Sequence, residues 1–183
     1  MKAIWYEQPG HASDVLKYGD MDQPEPGTGE VRVKIYASGI NPSDTKFRSG
    51  WMGLKQPYPK TIPHNDGAGV IDAVGEGVSP GRVGERVWLY ETQRGSAFGT
   101  AADYGVVPAH KAVIMPESLG FAAGASLGVP AMTAHFSIFS DGPITDKTVL
   151  VHGGAGAVGI YAIQLAKWGG ATTVLATVSS DEK

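Results

Sequence analysis

The chain contains no cysteine among its 183 residues. This absence excludes disulfide bonds, thiolate nucleophiles and every zinc site that depends on cysteine ligands, and it is compatible with a reducing compartment. A long apolar run is missing as well, since neither the N-terminal segment Met1–Glu7 nor any later stretch reaches the length of a signal-peptide core or a membrane span. We therefore expect a cytoplasmic protein without a membrane segment.

Excess charge of either sign is also missing. Fifteen Lys and Arg residues face eighteen Asp and Glu residues, which leaves a net charge of −3. Because binding to nucleic acid or to an anionic membrane needs a basic surface, this balance gives no indication of either partner. The hydrophobic content of 42% is that of an ordinary globular protein, whereas the 26 glycines indicate many tight turns or close backbone contacts.

The first two thirds of the chain are predicted to be rich in β-strands. In Glu30–Ser38 apolar and polar residues alternate, which is the pattern of a half-buried strand. A short helix is expected from Ser43, a residue type common at helix starts, to Ser49 before Gly50. Further short strands, each bounded by glycine or proline, are predicted at Lys2–Tyr6, Ala68–Val74, Glu85–Tyr90, Tyr104–Val107 and Ala112–Met115. Many short strands at close spacing favour a small barrel or a sandwich-like domain.

The pattern changes near Phe121. Residues 122–139 are alanine-rich and have the length of a helix, and a second helix is predicted from Ala157 to Trp168. The apolar segments Lys147–His152 and Thr173–Val178 flank that second helix and are predicted as strands buried on both faces, so the order is that of a βαβ unit. We therefore predict two domains, residues 1–120 and residues 121–183.

The predicted fold class is α/β, with a β-rich domain followed by the start of a Rossmann-type parallel, doubly wound sheet. Two parallel strands alone would leave sheet edges and apolar faces uncovered. For this reason we expect the sequence to be the front part of a longer protein.

A glycine motif of the form G-x-G-x-x-G runs from Gly154 to Gly159. It lies between an apolar strand and an amphipathic helix, which is the context that a dinucleotide-binding turn requires. We expect Gly154 to allow a sharp turn, Gly156 to let a pyrophosphate approach the backbone, and Gly159 to let the helix pack closely on the strand. The remaining predicted phosphate-binding residues of the motif, at the positive end of the helix, are Ala155, Ala157 and Val158. The alternative is a plain strand-to-helix turn with incidental glycines.

The end of the second predicted strand bears on the choice between NADPH and NADH. Ser179 and Ser180 stand near the position where NAD enzymes usually carry an acidic residue for the ribose 2′-hydroxyl. Small hydroxyl side chains leave room for a 2′-phosphate, and Lys183 is predicted to pair with it. Asp181 and Glu182 follow directly and are the counter-argument, and Lys183 is alternatively a solvated lysine. NADPH is the favoured cofactor.

Several motifs occur in an order that matches a known family: Ser38–Asp44, Arg48–Gly50, Gly67–Ile71, Gly75–Val78, Gly84–Val87, Gly128–Ala134 and Gly156–Gly159. Together they resemble the zinc-independent quinone oxidoreductases, the zeta-crystallin-like branch of the medium-chain dehydrogenase/reductase superfamily. The resemblance extends over essentially the whole chain. It implies a GroES-like catalytic domain followed by a Rossmann domain, with NADPH and a quinone meeting between them, and a homodimer when the protein is full length.

The zinc alcohol dehydrogenases of the same superfamily have a cysteine ligand where this chain has Asn41, and a histidine ligand where it has Asn65. Neither asparagine is a suitable zinc ligand, so we expect no catalytic zinc. His64 lies one position before the histidine slot, and we interpret it as a loop histidine without a metal.

A reaction without a metal suits a quinone, because a quinone accepts hydride readily and the protein has mainly to position it. Asn41 resembles the family residue that faces the nicotinamide and the substrate, and we predict that its amide donates to the substrate oxygen. The alternative for Asn41 is a turn-forming role before Pro42. Thr133 resembles a residue that contacts the cofactor near its nicotinamide end. Asp44 also matches the family pattern, but a helix cap explains it equally well.

The residues around Met52 bear on which reaction the protein is expected to catalyse. Many quinone reductases of the family carry tyrosine where this chain has Lys46 and an aromatic hydroxyl near Met52, and related enoyl thioester reductases use a tyrosine there as proton donor. Trp51 and Met52 offer an apolar surface instead, which argues against enoyl thioester reduction. The leading prediction is an NADPH-dependent quinone oxidoreductase. The alternatives are reduction of enals or other activated alkenes and carbonyls, and a crystallin-like structural protein that binds NADPH with little turnover.

Overall fold

The computed structural model describes residues 1–53 and 55–180. Its strands are β1 (Lys2–Trp5), β2 (Lys17–Asp20), β3 (Glu30–Gly39), β4 (Asp66–Val74), β5 (Arg86–Leu89), β6 (Tyr104–Pro108), β7 (Ala112–Ile114), β8 (Thr148–Val151) and β9 (Thr173–Ala176). Its helices are α1 (Ala12–Val15), α2 (Pro42–Ser49), α3 (Phe121–Gly124), α4 (Gly128–Phe139) and α5 (Ala157–Trp168), with short 3₁₀ turns at Trp51–Gly53, Pro80–Arg82 and Ala109–Lys111. The chain divides into two compact units, Met1–Gly128 and Val129–Lys183. The predicted division into residues 1–120 and 121–183 stays a prediction.

The first unit is built on a five-stranded antiparallel sheet with the order β6-β3-β4-β5-β7. The alternation predicted for β3 is confirmed, since Val31 and Val33 are fully buried while Lys34 and Tyr36 are exposed. The two valines join the main hydrophobic core with Ile71, Val87, Leu89, Val107 and Ala112. The sheet therefore holds the C-terminal end of β3, where Asn41 follows, against a rigid core.

Helix α2 begins one residue earlier than predicted. Asn41, with an extended backbone, is the residue before the first helical turn, and Pro42 occupies the first helical position instead of Ser43. Proline suits this position because its missing N–H would have no acceptor within the helix. The helix ends at Gly50, whose φ of 69° is left-handed.

The predicted continuous helix over residues 122–139 is wrong. The structure has two helices there, α3 and α4, separated by residues 125–127. Pro130 explains the break, because proline has no N–H to donate and is tolerated only in the first turn of a helix. A new helix that begins at Gly128 places Pro130 in its first turn.

Two short elements near the N-terminus were not predicted. Helix α1 covers four residues, and β2 pairs with β1 in a separate two-stranded antiparallel sheet. The sequence of β2, Lys-Tyr-Gly-Asp, has neither apolar alternation nor β-branched residues, so no local signal marks it as a strand.

The second unit contains a βαβ arrangement, as predicted. Strands β8 and β9 are parallel, and α5 covers the residues predicted for it, Ala157–Trp168. Ala134, Val151 and Ala162 form its buried core. The prediction that both strands are buried on both faces is wrong for the described residues, because Leu150 is 65% exposed and Leu175 is 52% exposed. Within the described residues this sheet has two strands, and the face that carries these two side chains is not covered.

The apolar helices of the described residues are short. None of them has the length and apolar character that crossing a membrane requires.

Candidate functional site: a glycine turn and a buried polar cluster

The glycine turn, defined here as residues 152–156, connects β8 to α5 and is tied to the end of β9 by Thr177. The Gly153 N–H donates to Thr177 Oγ1 at 3.1 Å, and the Gly154 N–H donates to the Thr177 carbonyl oxygen at 2.9 Å. His152 Nδ1 lies 2.7 Å from the same Thr177 Oγ1. Thr177 thus binds the turn through both its main chain and its side chain. A displacement of the end of β9 would therefore displace the turn as well.

Glycine is required at positions 153, 154 and 159 for different steric reasons. Gly153 has a φ of 75°, so the sharp left-handed turn falls on Gly153 and not on Gly154 as expected from the motif. At Gly154 an added Cβ would lie 2.7 Å from the Ala176 Cβ, so this glycine is required by close packing against β9. At Gly159 an added Cβ would overlap the Gly153 carbonyl oxygen and lie 2.8 Å from the Gly154 Cα. The start of α5 therefore packs directly on the turn.

A pocket of about 400 Å³ opens at the glycine turn. Its lining residues are His152, Gly153, Ala155, Gly156, Thr177, Val178 and Ser179. Three of them, Ala155, Gly156 and Ser179, were predicted cofactor-binding residues. His152 and Thr177 were not, although both occupy the C-terminal ends of parallel strands, which is where ligands bind in sheets of this type.

The pocket has the features that an anionic dinucleotide requires. An added Cβ at Gly156 would have only the Gly153 carbonyl oxygen close by, at 3.3 Å, so this position faces open space. The first N–H groups of α5, at Ala157 and Val158, have no acceptor within the helix and carry the positive end of its dipole. A phosphate placed at Gly156 would therefore meet backbone donors rather than side chains.

The other predicted cofactor residues are more scattered. Gly154, Ala157, Val158 and Gly159 form the turn and the first turn of α5, and Thr133 is an exposed residue of α4. Ser180 is exposed beside Ser179, whereas Lys183 lies outside the described residues. Asn41 belongs to the first unit and the other described residues of this set belong to the second unit.

Asn41 is part of a buried polar cluster in the first unit, defined as Ser38, Asn41, Asp44, His64, Asn65, Asp66 and Thr100. Its side chain is 5% exposed, and its Nδ2 donates to Asp66 Oδ2 at 2.8 Å. Its backbone N–H donates to Asp44 Oδ2 at 2.7 Å. The Asn41 amide is therefore held in one orientation from two sides.

Asp44 caps α2 and also links Asn65 to the cluster. Its Oδ2 accepts from the Asn41 backbone, and its Oδ1 accepts from Asn65 Nδ2 at 3.3 Å. Burial raises the pKa of the Asp44 carboxyl, while the Asn41 N–H and the charge of a protonated His64 act in the opposite direction. The helix-cap interpretation of Asp44 thus agrees with the observed contacts.

The two asparagines at the zinc-ligand positions both direct amide hydrogens at carboxylates. Asn41 donates to Asp66, and Asn65 donates to Asp44 while its Oδ1 accepts from the Gln93 N–H at 3.2 Å. Among residues 1–53 and 55–180, three or more His, Asp or Glu side chains are nowhere grouped to hold a metal ion. The expectation of a reaction without zinc stays a prediction.

His64 is more than a loop histidine. Its φ is 80°, which is unfavourable for a residue with a side chain. Its Nδ1 lies 2.8 Å from Ser38 Oγ, and its carbonyl oxygen accepts from Thr92 Oγ1 and from the Thr100 N–H. Burial lowers the pKa of His64, and the negative charge of Asp44 opposes this effect. A single histidine matches no metal-ligand or nucleophile spacing, so the sequence contained no signal for these contacts.

The apolar surface predicted around Met52 is present. Trp51 is 50% exposed and Met52 is 80% exposed, and the Lys46 ammonium lies 4.6 Å from the centre of the Trp51 ring. The Lys46 side chain therefore places a cation against an aromatic face.

Comparison with known proteins places these features in a family. Residues 27–117 match the model of the alcohol dehydrogenase GroES-like domain. A quinone oxidoreductase of Rattus norvegicus is 38% identical over 173 residues, which cover 92% of this chain and 50% of the relative. The chain thus spans about half the length of the curated relatives it matches.

Solved structures agree with the sequence comparison. A mycobacterial protein complexed with NADPH has a TM-score of 0.81 and 34% identity, over 100% of this chain and 53% of that one. An Escherichia coli quinone oxidoreductase complexed with NADPH has a TM-score of 0.84 and 28% identity, over 100% of this chain and 54% of that one. The resemblance seen in the motifs is confirmed: the chain belongs to the quinone oxidoreductase branch of the medium-chain dehydrogenase/reductase superfamily.

Proposed function

We propose that the protein is an NADPH-dependent quinone oxidoreductase that transfers hydride without a metal. The observation that carries this proposal is the glycine turn, where backbone donors and the start of α5 border a pocket of about 400 Å³. Relatives named quinone oxidoreductases, and neighbours solved with NADPH, support the same cofactor and substrate class. The family resemblance also supports a cytoplasmic homodimer.

The residues of the second unit would hold the cofactor. The backbone from Gly154 to Gly159 binds the pyrophosphate, with Ala155 and Gly156 lining the pocket. Ser179, Ser180 and Lys183 accommodate the 2′-phosphate, and Thr133 contacts the nicotinamide end. When bound, NADPH supplies the hydride that reduces the substrate.

Asn41 is the proposed catalytic residue. Its amide donates one hydrogen to Asp66, and the second hydrogen of the amide is the proposed donor to a substrate oxygen. Because Asp66 and Asp44 hold Asn41 before the substrate arrives, the donor needs no reorientation as negative charge develops on the oxygen.

The full-length protein tests this proposal in a steady-state assay of NADPH oxidation with a panel of quinones and a panel of enals. We expect turnover with at least one quinone and weaker turnover with every enal. Turnover with enals alone would assign the alternative substrate class. Tight NADPH binding without turnover on either panel would indicate a structural protein of the crystallin type.

The cofactor preference rests on Lys183 and is tested by Lys183→Ala. Loss of one charge-assisted contact should weaken NADPH binding by about 1–2 kcal/mol and leave NADH binding nearly unchanged. Titration calorimetry with both nucleotides, on the wild type and the variant, measures the difference. Equal affinity of the wild type for NADPH and NADH would contradict the preference.

A further inference from the structure

His64 is held in an unfavourable backbone conformation just before β4. A left-handed φ is unfavourable at a residue with a side chain and persists where surrounding contacts enforce it. Here the His64 carbonyl oxygen accepts from Thr92 Oγ1 at 2.9 Å and from the Thr100 N–H at 3.0 Å. These contacts aim the imidazole at Ser38.

The hydrogen bonds beyond Ser38 determine which ring nitrogen carries the proton. Thr100 Oγ1 donates its single hydrogen to the Asp66 carbonyl oxygen at 2.6 Å, because a carbonyl can only accept. In the 2.8 Å contact between Ser38 Oγ and Thr100 Oγ1, Ser38 must therefore be the donor. Ser38 has no second hydrogen, so in its contact with His64 it must accept, and His64 Nδ1 must carry a hydrogen.

This chain of hydrogen bonds leaves the other ring nitrogen for chemistry. In the neutral imidazole with a hydrogen on Nδ1, Nε2 has a free lone pair. Within the part of the chain that the structure describes, no side chain or backbone group forms a hydrogen bond with Nε2 of His64. Nε2 therefore has a lone pair that can accept a proton.

Two carboxylates belong to the polar cluster that contains His64. Asp44, on α2, is the one whose charge raises the pKa of His64 against the effect of burial. Asp66, on β4, binds Asn41 through its carboxylate and anchors Thr100 through its carbonyl oxygen. The contacts of His64 with the other elements are uncharged: the Ser38 hydroxyl from β3 meets the imidazole, and the backbone N–H of Thr100, in the segment before β6, donates to the His64 carbonyl oxygen. Burial thus makes a protonated His64 a stronger acid than a free imidazolium, and the negative charge of Asp44 limits this effect.

We infer that His64, through Nε2, delivers the proton that quinone reduction consumes, and that Ser38 and Thr100 are positioning residues that keep the hydrogen on Nδ1. This inference rests on the proposed function. The quinone accepts two electrons and one hydrogen as hydride from NADPH, which leaves NADP⁺. The Nε2–H bond of the imidazolium then breaks as the O–H bond of the hydroquinone forms, and water returns a proton to Nε2.

The first test needs no turnover. Long-range proton–nitrogen NMR spectra of the full-length protein at neutral pH should show His64 with a hydrogen on Nδ1 and a lone pair on Nε2. Thr100→Val removes the hydroxyl that forces Ser38 to donate, so His64 should change to a mixture of tautomers. His110, which forms no hydrogen bond with Ser38, His64 or Thr100 within the described residues, should stay unchanged and serves as an internal control. A wild type with the hydrogen on Nε2, or a mixture that Thr100→Val does not alter, would overturn the inference.

The second test uses the full-length enzyme with a quinone that it reduces. In His64→Asn the residue type still tolerates the left-handed backbone and can still donate to Ser38, so we expect normal NADPH binding. We expect kcat to fall about 100-fold. The wild-type rate should decrease as pH rises through the pKa of His64 measured by NMR, and this decrease should be absent in the variant.

The two proposals fail in different ways. An unchanged kcat and pH profile in His64→Asn would remove His64 from the reaction and leave quinone reduction in place. A wild type that reduces no quinone would remove the proposed function, and the proton role with it, even if the NMR spectra show the expected tautomer.

Discussion

Replacing Asn41 by aspartate should lower the free energy of unfolding by about 3–5 kcal/mol at pH 7. The Asn41 amide donates to Asp66 Oδ2 at 2.8 Å, and Asp66 is 1% exposed. The substitution puts a carboxylate where an amide hydrogen was, so two negative charges meet in a buried site. Asp44 adds a third carboxylate within the same cluster, bound to the Asn41 backbone. Urea unfolding of wild type and variant, followed by circular dichroism, measures the difference.

The pH dependence of Asn41→Asp identifies the cause. Burial and the neighbouring carboxylates raise the pKa of the introduced carboxyl in the folded protein above its value in the unfolded chain. Between these two pKa values the folded state binds a proton that the unfolded state does not. The destabilisation is therefore complete above the folded-state pKa and decreases as pH falls through it.

Asn41→Ala is the matched control. It removes the same hydrogen bond without adding a charge and should cost about 1–3 kcal/mol. Its difference from the wild type should stay nearly constant between pH 7 and pH 5. If Asn41→Asp were no less stable than Asn41→Ala at pH 7, the buried contact with Asp66 would not exist in solution.

The second large effect is expected for Gly159→Ala. The added methyl group would overlap the Gly153 carbonyl oxygen and approach the Gly154 Cα, so α5 has to move away from the turn. We expect a loss of about 2–3 kcal/mol in the free energy of unfolding. NADPH affinity should fall about 100-fold, because displacement of two backbone donors to phosphate costs about 1.5 kcal/mol each.

Gly156→Ala separates binding from folding. The backbone of Gly156 has a φ of −80°, which any residue adopts, and an added methyl group would point into the pocket with one neighbour at 3.3 Å. Stability should change by only about 0.5 kcal/mol, whereas NADPH binding should weaken strongly. Fluorescence titration with NADPH and urea unfolding, on both variants, provide the measurements. Normal NADPH affinity in both variants would show that the glycine turn is not the cofactor site.

Sequence patterns predicted the elements whose signal is local. Strand β3 shows its alternation over nine residues, and α5 begins within the glycine motif, directly after Gly156, and ends before Gly169, so both were located correctly. The broader fold class, a β-rich domain followed by the start of a Rossmann-type unit, was confirmed for the same reason. Where the local signal was ambiguous the prediction failed, as at Ser43, which has the same capping chemistry as the actual cap Asn41.

Other features depend on distant residues and have no local signal. The exposure of Leu150 and Leu175 depends on how many strands complete the sheet, and an apolar segment looks the same in a central strand and in an uncovered one. The contacts of His64 with Ser38 and of Thr177 with the glycine turn join residues more than twenty positions apart. Hydroxyl and imidazole side chains occur everywhere in protein sequences, so only the fold shows which of them meet.

The dual use of Thr177 has a consequence for any attempt to redesign nucleotide preference. The residues that would discriminate between cofactors, Ser179 and Ser180, follow Thr177 within three positions on the same short segment. A change that shifts this segment also pulls on the amides of Gly153 and Gly154, which Thr177 holds through its hydroxyl and carbonyl oxygens. A substitution that changes selectivity at the ribose by moving this segment is therefore expected to change affinity for the diphosphate too. To change the preferred nucleotide without losing affinity, side chains have to be replaced while the backbone of this segment keeps its position.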